Sequence, residues 1–125
     1  MNLNEEKLLR STWRSFKAFK PSGGIRLHSE QVFQEWQFDP NKMLTVRSFR
    51  EGIDQVVVKT DRWNLTFRNR RHYLEIPGER LTYEIITVNH TVLVLQECSG
   101  VMEKTFFARE NHWQSFLQSN KEISM

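Results

Sequence analysis

From Glu30 to Arg109 the chain runs in short stretches of aromatic and β-branched residues, broken about every ten residues by turn formers. This is the pattern of an all-β sandwich or barrel. The breaks have their own chemistry. In "DPNK", Asp39 to Lys42, Pro40 brings a fixed φ that suits a turn, and in "IPGE", Ile76 to Glu79, Pro77 precedes Gly78 as a type II turn requires. Asn89 and His90 stand between two apolar runs, where Asn tolerates the positive φ of a tight hairpin, and Gly100 serves the next reversal. Reading outward from these turns predicts eight extended segments, at about 11–19, 31–38, 43–50, 55–68, 71–76, 81–88, 91–98 and 101–109. Eight strands joined by hairpins predict an eight-stranded antiparallel up-and-down barrel. Closure removes exposed sheet edges, and an eight-stranded wall encloses either a packed interior or one small ligand.

Alternation within the segments selects an inward face: Trp36 with Phe38, then Trp63, Leu65 and Phe67, Leu74 and Ile76, Tyr83 and Ile85, Leu93 and Leu95, and Thr105 with Phe107. Their neighbours, among them Gln37, Asn64, Arg68, Glu75, Glu84 and Lys104, face outward together with the less polar Val92, Val94 and Phe106. Segment 55–68 breaks the phase, because Val56 and Val58 have the opposite parity to Trp63. A β-bulge between Lys59 and Arg62 would restore it. A turn at "KTDR" would instead split the segment and give nine strands in two sheets.

Helices are expected at both ends. Asn2 and Glu5 have capping-box spacing ahead of a short helix over residues 4–10, and Asn111 with Gln114 repeats it ahead of Trp113, Phe116 and Leu117, which fall on one helical face. The second helix is expected on the barrel wall or across its mouth, with the tail "NKEISM" frayed.

A chain of 125 residues is the size of one domain, read here as spanning residues 1–125, and its 38% apolar content is concentrated in nine Phe and four Trp that can build a core. A net charge of +3 does not by itself call for a polyanion. Cys98 is alone, so no internal disulfide forms. The N-terminus lacks the apolar run of a secretory signal, and no stretch is long enough to span a membrane as a helix. These features read as a cytoplasmic protein.

The early "STW" at Ser11 to Trp13, the eight hairpin-linked segments, the "TFFAR" that ends on Arg109 and the trailing amphipathic helix together resemble the lipocalins. That family places a Trp from a G-x-W motif across the closed end of the barrel and packs a late Arg over it. Trp13 and Arg109 match those two structural roles, with Ser11 where the family has Gly. The outline "EWQF", "RWNL", "YEI" and "TVLVLQ" is similar to that of small bacterial lipocalin-like domains, over about residues 8–110. The resemblance implies a non-catalytic barrel that binds a small hydrophobic ligand.

On that reading Trp36, Phe38, Trp63, Phe67, Tyr83 and Phe107 line the pocket, the Tyr83 hydroxyl orients the ligand, and the Gly-containing "KPSGGIRLHSE", Lys20 to Glu30, forms a lid. The same side chains could fill the barrel completely. The chain would then be an interaction or self-association module working through Val92, Val94, Phe106 or the helix of Trp113. "RNRRHY", Arg68 to Tyr73, has the cations and aromatic neighbours to hold a nucleic-acid strand, but a solvated hairpin tip accounts for it more simply. His28, His72, His90 and His112 lack metal-ligand spacing, and no catalytic set or cofactor motif can be assembled from the sequence.

Overall fold

The computed structural model describes residues 3–9, 11–52 and 55–123, with the side chains of Leu3 and residues 121–123 left aside. The elements are α1 (Leu3–Leu9), β1 (Thr12–Phe19), β2 (Ile25–Leu27), β3 (Phe33–Phe38), β4 (Met43–Phe49), β5 (Val57–Arg62), β6 (Asn64–Arg68), β7 (Arg71–Ile76), β8 (Leu81–Val88), β9 (Val92–Glu97), β10 (Lys104–Arg109) and α2 (Trp113–Ile123). The strands form one antiparallel sheet in the order β5-β4-β3-β1-β10-β9-β8-β7-β6, with β2 added to β1. β5 and β6 stand at the two ends of that order but are joined in sequence through Trp63 alone. The chain itself thus nearly closes the sheet into a barrel.

The expected strands are present, with two refinements that bring eight to ten. β2 forms inside the connection expected as a lid, and the segment 55–68 divides at Trp63. Trp63 leaves the ladder because its amide donates to the Lys42 carbonyl at 3.0 Å and its indole N–H to the Met43 carbonyl at 3.2 Å. The expected bulge between Lys59 and Arg62 is absent, as is the split into two sheets. The β4–β5 register runs unbroken from Met43↔Arg62 to Ser48↔Val57, which sets Lys59 and Asp61 on the face of Val46 and Leu44. Val56 and Val58 are exposed, since β5 pairs with a strand on one side only and no core covers them.

Bulges occur elsewhere. Between Ser15 and Lys17 the β1–β10 register shifts, so Phe16 lies on the outer wall while Ala18 comes opposite Thr105. Between Ile85 and Thr87 the β8–β9 register shifts, leaving Ile86 exposed and bringing Val88 opposite Leu93. Two turns also work differently from expectation. Pro77–Glu79 is a 3-10 turn in which Arg80, not Gly78, takes the left-handed conformation. Gly78 makes room for a neighbour: a Cβ there would lie 2.8 Å from Asp61 Oδ1, so the Asp61 side chain would have to turn away. Asn89 keeps a negative φ, and its side-chain oxygen accepts from the amides of Thr91 and Val92 at 2.8 and 2.9 Å.

Two cores lie on either side of the β1–β10 wall. The inner one packs Trp13, Phe38, Trp63, Leu74 and Leu93 around Leu8, which α1 supplies. Trp13 donates its indole N–H to the Leu8 carbonyl at 3.2 Å, and the ammonium of Lys42 joins Glu5 of α1 while lying 4.5 Å from the centre of the Trp63 ring. α1 therefore closes one end of the barrel. Asn2, of the expected capping box, lies outside the described residues.

The outer core is the seat of α2 on the barrel wall. Phe16, Ala108, Trp113 and Leu117 form it, with Val92 and Phe106 packed at its margin. The carbonyls beside the β1 bulge are met by this helix, Ser15 by the Trp113 indole at 2.9 Å and Phe16 by the Asn120 amide at 2.6 Å. Asn120 is buried, so the helix continues through residues expected to fray. No helix among the described residues is long and apolar enough to cross a membrane.

Candidate functional site: a cleft at the open end

Side chains fill the α1 end and the middle of the barrel, but the opposite end is not filled. There the chain leaves a cleft of about 340 Å³ between β2, the start of β3, the end of β4, β8, the end of β9 and the start of β10. Trp36 and Phe107 form its aromatic wall, with ring centres 5.1 Å apart, and Tyr83 stands edge-on to Trp36 at 5.6 Å. The indole N–H of Trp36 donates to Gln34 Oε1 at 3.1 Å, and the Gln34 amide donates to Ser48 Oγ at 3.3 Å. These bonds fix the plane of the ring.

Polar groups complete the wall. Arg26, carried by β2, meets Glu103 at 2.5 Å; the arginine side chain is 56% exposed and the glutamate 11%. Glu97 lies opposite Tyr83 in the β8–β9 register, and its Oε2 accepts from the Glu103 amide at 3.4 Å. His28 Nδ1 and Ser15 Oγ share a hydrogen bond of 2.6 Å, while the same oxygen accepts from the Gln34 amide at 2.8 Å. Burial, helped by the nearby Arg26 charge, lowers the His28 pKa below its ordinary value. Burial, then the charges of Glu97, Glu103 and Glu79, push the Tyr83 phenol up to about 12. Its hydroxyl makes no hydrogen bond to protein among the described residues.

Ser15 and His28 have the appearance of a nucleophile and its base. Ser15 is fully buried, however, and its oxygen is already engaged by the Gln34 amide. The pair pins the β2 connection to β1 and does not present a reactive oxygen to the cleft. Among the described residues no group of three His, Cys, Asp or Glu is placed to hold a metal ion.

Of the six residues expected to line a pocket, Trp36, Tyr83 and Phe107 meet at the cleft. Phe38 and Trp63 pack edge to face at 5.2 Å in the filled interior, away from it. Phe67 is a correction: it keeps the parity of Leu65 but is 62% exposed, beside His72 at 4.7 Å, because β6 and β7 run past the end of the core. At the tip of this hairpin Asn69 and Arg70 both have positive φ. Arg68 lies over Tyr73 and near Glu75, and Arg71 pairs with Glu84 at 3.2 Å, so two of its cations are engaged on their own sheet. Trp13 and Arg109 meet as the sequence suggested, with the guanidinium 5.7 Å from the ring centre. Nε and Nη2 of Arg109 are buried without a hydrogen-bond acceptor among the described residues.

The sequence reading missed Glu97, Glu103, Ser15, Arg26 and His28. The first three were within reach: Glu97 continues the parity of Leu93 and Leu95, Glu103 that of Thr105 and Phe107, and Ser15 that of Trp13. Arg26 and His28 lie in the Lys20–Glu30 connection expected over the pocket, but no local pattern says which of its side chains reach the cleft.

No protein-family model and no curated protein matches the chain. Among solved structures, a redesigned β-barrel is similar with a TM-score of 0.45 at 13% identity, over 86% of this chain and 96% of that one.

Proposed function

We propose that this barrel is a lipocalin-like, cytoplasmic and non-catalytic binder of a small apolar molecule, held in the cleft at the end away from α1. The observation that carries the reading is the contrast between the two ends: large side chains and α1 fill one, whereas the other keeps an aromatic wall of Trp36 and Phe107 facing about 340 Å³ of space. A fixed indole and an unengaged Tyr83 hydroxyl are what a site needs to hold an apolar body and orient one polar group. The lipocalin likeness is supported by Trp13 under Arg109 and by the short helix at the closed end. The burial of Ser15 favours binding over hydrolysis.

Intrinsic fluorescence tests this, because Trp36 is the one tryptophan in the cleft wall. Titration with a panel of fatty acids, amines, alcohols and haem should give a saturable change with at least one member, and Trp36→Phe should abolish most of it. No response to any member would overturn the reading.

Self-association is the second reading, and its seat is not the patch expected from the sequence. Val92 and Phe106 are partly buried against the cluster that seats α2, and Val94 is buried. What favours it is β5, whose outer edge is unpaired in the sheet order and whose Val57 and Val58 are 50% and 54% exposed beside the exposed Val56. Light scattering over a concentration series would show a dimer that Val57→Lys removes.

A further inference from the structure

We infer that the molecule held in this cleft carries a protonated amine, and that the cleft rejects the carboxylate of the same size. The inference rests on the reading of the cleft as a ligand site and adds the chemistry of the head group.

Four charged side chains line the cleft: Arg26, Arg50, Glu97 and Glu103. Arg26 and Glu103 cancel each other at 2.5 Å. Arg50 is exposed at the rim. Glu97 is left. It lies on the same face of β9 as Leu93 and Leu95, directly across from Tyr83, and among the described residues no cation lies within ion-pair distance of it. An unpaired carboxylate beside the rings of Trp36, Tyr83 and Phe107 offers two attractions to one kind of head group, since aromatic faces and a carboxylate both draw a cation.

The same arrangement opposes an anion. A ligand carboxylate drawn in beside the aromatic wall would need Arg26, because Arg50 stands exposed at the rim, and drawing the Arg26 guanidinium away would leave the mostly buried Glu103 without its counter-charge. His28 offers no replacement, because burial keeps its ring neutral at neutral pH. Burial raises the Tyr83 pKa most, and the part that follows comes from Glu97, Glu103 and Glu79, carboxylates that an incoming carboxylate would also meet. The phenol, protonated, can still hydrogen-bond a neutral or cationic head.

Calorimetry on the full chain at pH 7.5 and low salt, with octylamine, octanol and octanoate as probes of equal chain length, separates the possibilities. Octylamine should bind at least about tenfold tighter than octanoate, with octanol between them. Glu97→Gln should weaken octylamine by about tenfold and leave octanol within about twofold, the octanol arm showing that the variant keeps its fold and its cleft. Octanoate binding as tightly as octylamine, or an unchanged octylamine affinity in Glu97→Gln, would overturn the amine assignment while the binding function stood. If none of the three bound, both would fall.

Discussion

Arg109 shows how much one side chain can tell. Two of its nitrogens are out of water with no acceptor among the described residues, a costly arrangement that the face of Trp13 offsets through cation–π attraction worth roughly 0.5–2 kcal/mol. Arg109→Ala should therefore lower the melting temperature by several degrees and leave affinity in the cleft unchanged, because the contact sits at the closed end. An unaltered melting temperature would contradict that role. Tyr83 gives a second handle. In a Tyr73→Phe background it is the only tyrosine, and its tyrosinate absorbance should rise near pH 12 in the folded chain, not near 10. Because the shift is upward, the protonated phenol's contribution is present in full below pH 10 and is lost as the pH climbs through 12. His28 shifts the other way. Its folded pKa is below that of the unfolded chain, so the unfolded state gains the proton first, and stability falls as the pH drops below 6.5 toward the lowered value. Denaturant unfolding at pH 8 and pH 5 should show a smaller loss on acidification in His28→Asn than in the native chain.

At the scale of elements, the hydrophobic pattern says which face a residue takes but not how far the core extends beneath it. Phe67 has the right parity and no core under it; Leu117, on α2, is buried against the outer wall. Phe67→Ser should change stability by no more than about 0.5 kcal/mol, whereas Leu117→Ala should cost about 2–5 kcal/mol, both read by denaturant unfolding. The strands, their antiparallel order and most of the inner face were legible because alternation and turn chemistry are local. What escaped was non-local. The Val56–Val58 run looks like core until β5 is seen at the end of the sheet order, with no strand paired to its far side among the described residues. Val92 and Phe106 look like a docking patch until the cluster that seats α2, a helix later in sequence, is seen to pack against them. The β1 bulge likewise makes sense only with the Trp113 and Asn120 side chains that meet its carbonyls.

At the scale of the whole molecule, the question of a hollow or filled barrel has a divided answer. Leu8, Trp13, Phe38 and Trp63 pack the α1 end and the middle of the interior, and among the described residues the space beside the inward aromatic wall lies at the far end. Trp36, Tyr83 and Phe107 were legible as members of that site from their parity. Its charged half was not, because Arg26 reaches Glu103 across 77 positions of sequence through a three-residue strand. The division also makes the account easy to probe. Nitrogen–proton correlation spectra of the labelled chain, titrated with octylamine, map where a ligand sits. The Trp36 indole and the amides of Gln34, Tyr83, Glu97 and Glu103 should shift together and saturate, while the Trp63 and Trp113 indoles stay in place. Shifts centred on α2, on the Phe67 hairpin or on β5, with the Trp36 indole unmoved, would contradict it.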